Sequence, residues 1–139
     1  MRVVIDANVF VSAAIGLGPS HRVVQAVVFS QYHDAIVSPT LIGEIEDVLS
    51  RPRLRKRISA DQAAEFIEDL RIMATRVPDP IDIGQHTRDP KDDYLVALAQ
   101  HHAADYIVTG DKDLHAWPEQ RPPAITPAEF ETILTNTSQ

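Results

Sequence analysis

A chain of 139 residues with 44% hydrophobic and 24% charged content is one domain's worth of globular sequence, long enough to bury a substantial core. With no cysteine, disulfides and thiolate chemistry are excluded, and no apolar run reaches the ~18–20 residues needed to cross a bilayer. The formal charge of −7 is uneven: residues 51–57, RPRLRKR, carry five positive charges and no acid, so the rest is strongly acidic and repels nucleic acid.

In chain order, residues 3–5 (VVI) form a short strand of the fully buried type, directly after Met1-Arg2. That opening lacks the layout of a secretion signal, and the expected location is the cytoplasm. Residues 20–31 space their apolar side chains as a helix does, 35–37 read as a second strand, and 41–49 as a second helix. A longer amphipathic helix is predicted over 60–74, and a third short strand at 76–77. The stretch 78–90, rich in Asp and Pro, reads as an exposed loop. A helix over 91–102, a strand at 106–108 and a last helix over 127–134 complete the pattern. Strands alternating with helices predict an α/β fold, with a mainly parallel sheet covered by helices on both faces. The expected domain spans 1–135, with 136–139 as a frayed tail.

Acids stand where such a fold places ligands, beyond the carboxyl ends of the strands. Asp6 follows the first strand, and Asp111 follows YIV through Thr109-Gly110. Each alone reads equally as a turn or N-cap acid. In RDPKDDYLVALA, Asp89 and Pro90 read as N-cap and first helical residue, with Asp92 at the capping-box position. Asp93 has no such duty and sits where the helix dipole favours a carboxylate. In VSPTLIGEIEDVL the apolar stripe leaves Glu44 and Glu46 on opposite shoulders, and periodicity does not choose between them.

Four segments, VVIDANVFVSA, SPTLIGEIEDVLSRPRL, RDPKDDYLVALAQHHAADYIVTGDKDL and PAITPAEFETIL, span almost the whole chain. In that order they resemble the PIN-domain nucleases, most closely the VapC-like ribonucleases that serve as toxins of toxin–antitoxin pairs. The specific part of the match is DPKDDYLVALA followed at this spacing by VTGDKDL. The resemblance implies an acidic quartet at Asp6, Glu44, Asp93 and Asp111, choosing Glu44 over Glu46. It also agrees with the capping argument for Asp93 over Asp92, although an assisting or substituting role for Asp92 stays open. It further implies an RNA substrate, a small antitoxin partner and a homodimer.

Converging carboxylates repel one another and call for a divalent cation; oxygen ligands suit Mg²⁺ or Mn²⁺. Such an ion activates water for phosphodiester hydrolysis without a Cys or His nucleophile. Supporting candidates are Asn8, as an orienter of Asp6 or of a water; Thr109, which resembles the family's small hydroxyl residue; and Asp113, as an outer ligand or a turn cap. Arg53, Arg55 and Lys56 are candidates for guiding the RNA backbone, against the alternatives of a solvated basic turn or an antitoxin dock. The six histidines show no metal-ligand spacing, and Tyr32, Tyr94, Tyr106 and Trp117 read as ordinary packing. A receiver-type phosphoacceptor would need an acidic pair after the first strand, and a DxD phosphatase an acid in place of Asn8. The remaining alternative is a PIN fold that has lost catalysis and acts as a binding or assembly module.

Overall fold

Val3, Val4 and Ile5 are all wholly buried. Successive strand residues face opposite sides, so this alone requires cover on both faces of the sheet. A computed structural model, describing residues 1–84, 89–116 and 119–137, shows how that cover is built. Strand β1 (Arg2–Ile5) is followed by helices α1 (Ala7–Ile15) and α2 (Pro19–Val28), then β2 (Asp34–Val37) and α3 (Pro39–Leu49). A 3₁₀ turn (Pro52–Lys56) leads to α4 (Ala60–Met73) and β3 (Thr75–Arg76). After these come α5 (Pro90–His101), β4 (Tyr106–Val108), α6 (Lys112–His115), β5 (Ala124–Ile125) and α7 (Pro127–Thr137). The five strands run in the order β3-β2-β1-β4-β5, with every pairing parallel. The α/β architecture with a parallel sheet flanked by helices is therefore observed.

Local chemistry explains the helix starts. Ser38 caps α3 by accepting from the Leu41 N–H at 3.3 Å, with Pro39 first in the helix. Ser59 and Gln62 form a reciprocal capping box at α4. The predicted third strand starts one residue earlier than expected, and α2 ends three residues sooner, at Val28. Three elements lay outside the expectations: α1, α6 and β5. In α1 (ANVFVSAAI) the residues Ala7, Val9, Phe10, Val11 and Ala13 are all buried. Asn8 and Ser12 are its only exposed residues, a polar stripe too narrow to stand out in so apolar a run. Helix α7 runs on through Thr137, past the expected start of the tail.

The predicted packing of the aromatics divides. Tyr106 packs on Phe130 with ring centroids 5.7 Å apart, Tyr32 is 78% exposed, and Trp117 lies outside the described residues. Residues 85–88 of the predicted loop likewise lie outside them. No described helix is long and apolar enough to cross a membrane.

The order places β1 at the centre. The chain moves outward through β2 and β3, then returns to the other side of β1 with β4. The reversal between β1 and β4 is the switch point where open parallel sheets form a crevice. Asp6 leaves β1 and Asp111 follows β4 at that point.

Candidate metal centre

Asp6 stands in extended backbone (φ −60°, ψ 145°) and anchors to the sheet by donating its N–H to the Val108 carbonyl at 2.9 Å. Its Oδ1 accepts from the Asn8 N–H at 3.4 Å, capping α1, while Oδ2 accepts from the Thr109 hydroxyl at 2.8 Å. Cap and site member are thus the same residue. Asn8 itself is exposed and lines the cleft beside Asp6.

Thr109 is wholly buried, and its Oγ1 also accepts the Asp111 N–H at 3.0 Å. A single hydroxyl therefore ties together the two strand-end acids. Asp111 in turn caps α6, accepting from the Asp113 N–H at 2.8 Å. Asp113 supplies that backbone donor; its side chain is exposed and does not line the cleft. Thr109→Val keeps the shape and strands the part-buried Asp111 N–H and an Asp6 carboxylate oxygen. A loss of ~1–3 kcal/mol, read as a lowered Tm, is expected.

On α3 the two glutamates separate. Glu44 lines the acidic cleft, whereas Glu46 pairs with Arg71 of α4 in a different concavity. That concavity is the larger, about 780 Å³, and holds none of the acidic set. Of the two shoulders that periodicity left open, Glu44 is the one on the acidic cleft.

On α5 the two neighbouring acids are placed differently. Asp92 lines the cleft, and Asp93, although buried at 6% exposure, does not. Asp89 caps α5 by accepting from the Lys91 N–H at 2.9 Å, and Asp92 turns inward to 3% exposure instead of closing a capping box. Neighbours on a helix point ~100° apart, and of this pair the cleft takes Asp92. Every residue from Asp92 to Ala99 is buried, which leaves no polar face from which sequence could fix the rotation. Tyr94 also lines the cleft, and its hydroxyl hydrogen-bonds Asp79 and Ser38. This ties α5 to the start of the helix that carries Glu44.

The resulting cleft is about 180 Å³, lined by the carboxylates of Asp6, Glu44, Asp89, Asp92 and Asp111 and by one cation, Lys91. That is room for an ion with a few waters, each occupying ~30 Å³ in the liquid. Burial pushes the Asp92 carboxyl up to about 7, aided by its hydrogen bond with Asp111 and by the negative charges of Asp111, Asp89 and Asp6. Glu44 is also raised, chiefly by burial; Lys91 opposes the shift, while Asp6 and Asp89 add to it. Asp92 Oδ2 is buried with no hydrogen-bond partner. An orphaned carboxylate oxygen facing other carboxylates is costly unless a cation meets it. The all-oxygen donor set suits a hard divalent ion. The residues present therefore fit a metal.

In the sequence Asp89 reads as a cap only, Asp92 as capping-box support with an assisting or substituting role left open, and Lys91 has no distinguishing mark in its context. No curated protein matches the chain. A family model, the PIN domain, matches residues 2–113, from β1 through both strand-end acids and α5. With that span covered and its acids gathered at one crevice, the chain belongs to the PIN-domain family, a superfamily of metal-dependent nucleases.

Proposed function

We propose that this PIN domain is an endoribonuclease, the toxin of a toxin–antitoxin pair, which hydrolyses RNA phosphodiesters with Mg²⁺ or Mn²⁺. Asp6, Glu44, Asp92 and Asp111 hold the ion. The observation that carries the reading is the buried, unpartnered oxygen of Asp92 within a five-carboxylate cleft at the sheet's switch point. RNA as substrate, an antitoxin that blocks the site and a homodimer rest on the resemblance of DPKDDYLVALA and VTGDKDL to VapC-like toxins.

When bound, a divalent ion supplies positive charge to the phosphodiester and acidifies water. The protein's own part is positional. Thr109 and the Asn8 N–H hold the two oxygens of Asp6, and the Asp113 N–H holds Asp111. Tyr94 fixes α5 against the start of α3. Lys91, the cation of the lining, offers its ammonium to a phosphate oxygen. Water adds to phosphorus, the bond to the leaving ribose oxygen breaks, and that oxygen takes up the proton the water lost. RNA incubated with purified protein and Mn²⁺ should be cut, and Asp6→Asn should stop the cutting. A catalytically silent binding module would leave RNA intact with either protein.

The basic strip answers the charge problem. It forms the exposed 3₁₀ turn after α3, with Arg53, Arg55 and Lys56 at the surface and Arg51 paired to Asp47 at 3.4 Å. At ~1.5 Å per residue, α3 ends about 7.5 Å along its axis from Glu44, and the turn starts three residues later. Each phosphate contact on a single strand contributes ~0.7 to the logarithmic salt slope of binding. Replacing Arg53, Arg55 and Lys56 by Gln should lower RNA affinity and flatten that slope by about 2. Unchanged affinity and slope would remove the strip from the RNA path.

A further inference from the structure

All strand pairings are parallel, so β2 and β3 end on the same edge of the sheet as β1 and β4. The concavity of about 780 Å³ that holds Glu46 lies at that edge: Ser38 follows β2, Val77-Pro78 follow β3, and all three line it. Ser38 hydrogen-bonds Tyr94, which lines the acidic cleft, so a single side-chain pair separates the two hollows. The larger one shares Glu46 and Arg71 with a further concavity of about 370 Å³ between α3 and α4, lined also by Arg55 of the basic strip. Together the two form a furrow beside α3, from the wall of the cleft to the basic strip.

The furrow's chemistry is the reverse of the cleft's. Arg76, Arg71 and Arg55 line it against Glu46 and Glu68, and Glu46 is already paired with Arg71. In a chain of formal charge −7 that is a cationic lining, and Ile42, Ala74 and Ile67 add apolar surface to it. Gly43 lines it too, in the interior of α3, where only proline is a poorer helix former. A Cβ at Gly43 would meet nothing within 4 Å, so no neighbour within the fold requires a glycine there. Bare backbone facing an open hollow suits close approach by a ligand.

Resting on the reading of the protein as a ribonuclease, we infer that this furrow is the path of the RNA strand beyond the cleft, with Gly43 its point of closest approach. Arg76 and Arg71 hold phosphates, Ile42 and Gly43 face sugar and base, and Arg55 receives the strand at the far end. Cations along the backbone with apolar surface for the bases is the lining that binds single strands without reading their sequence. The 11 residues of α3 span about 16 Å, the length of roughly five stacked nucleotides at ~3.4 Å each.

Fluorescence anisotropy with fluorescein-labelled single-stranded RNA of mixed sequence tests this, in the full chain carrying Asp6→Asn so that no RNA is cut. With MnCl₂ present, affinity should rise from a 4-mer to a 10-mer as the strand extends along the furrow. Gly43→Leu fills the furrow from a position with no neighbour to clash with, and leucine is the better helix former, so the Tm should not fall. It should remove the gain with length and weaken the 10-mer by about tenfold, the loss of a base contact. Arg76→Gln should weaken the 10-mer and lower its logarithmic salt slope by ~0.7, the share of one phosphate. Affinity and length dependence unchanged in both variants would overturn the furrow as the RNA path. So would a changed oligomeric state of Gly43→Leu in light scattering with RNA affinity intact, which would make the furrow a contact between protein copies. If the Asp6→Asn protein bound RNA of neither length, the ribonuclease reading would fall and carry the furrow with it, a failure distinct from that of the furrow alone.

Discussion

Asp92→Asn is expected to lower metal-dependent RNA cleavage by at least ~10²–10³-fold, the scale on which losing one charge-stabilising group slows a reaction centre. The substitution is isosteric, and Asp92 is 3% exposed inside a helix buried around it, so the fold has no steric reason to fail. What disappears is a carboxylate crowded by Asp111, Asp89 and Asp6. Relieving that repulsion should raise the Tm of the metal-free protein near neutral pH, even as activity and the stabilisation by added Mn²⁺ vanish. The contrast is Asp93→Asn. Asp93 stays outside the cleft, so that variant should keep Mn²⁺-induced stabilisation. Cleavage assays and thermal melts with and without Mn²⁺ on the two variants decide the matter. Activity lost in Asp93→Asn but kept in Asp92→Asn would reverse the assignment.

The second large effect is on pH. The Asp92 carboxyl sits at about 7 in the metal-free protein, against ~3.9 for an unfolded aspartate. Between these values the folded state holds more proton than the unfolded one. Stability of the metal-free protein should therefore fall as pH rises from about 4 to 7, and this contribution levels off above 7. Glu44, shifted in the same direction, adds to the slope. A metal must displace the Asp92 proton, so Mn²⁺ affinity should weaken about tenfold per pH unit below 7. Melts across pH 4–8 read the first effect, and Mn²⁺ titrations at pH 5.5, 6.5 and 7.5 read the second. Both trends should flatten in Asp92→Asn. A metal-free stability that rises steadily from pH 4 to 7 would contradict the crowding of carboxylates in this cleft.

Much of the fold was legible because its signals are local. Ser38-Pro39 and Asp89-Pro90 mark helix starts by cap chemistry, and both caps are observed. The strands VVI and YIV stand out as unbroken apolar runs, which parallel burial on two faces requires. Helix α1 was not legible, because with Ala7, Val9, Phe10, Val11 and Ala13 all buried only Asn8 and Ser12 mark an outer face. Strand β5 has two residues, too few to show any period. At the site, the strand-end positions of Asp6 and Asp111 followed from chain order. The choice of Asp92 over Asp93 did not, since a capping argument counts positions along a helix while the cleft depends on its rotation.

By itself, then, the sequence determined an α/β chain with a parallel sheet and an acid at the end of each of two buried strands. Apolar runs and caps act over a few residues and are written in order. Long-range packing places Glu44 rather than Glu46 on the crevice and joins Asp6 to Asp111 through Thr109. It also decided that Asp89 and Asp92 close on Asp111 around an unpartnered oxygen. Those relations depend on how α3 and α5 are rotated against β1 and β4, and that rotation is set by packing between residues far apart in the chain.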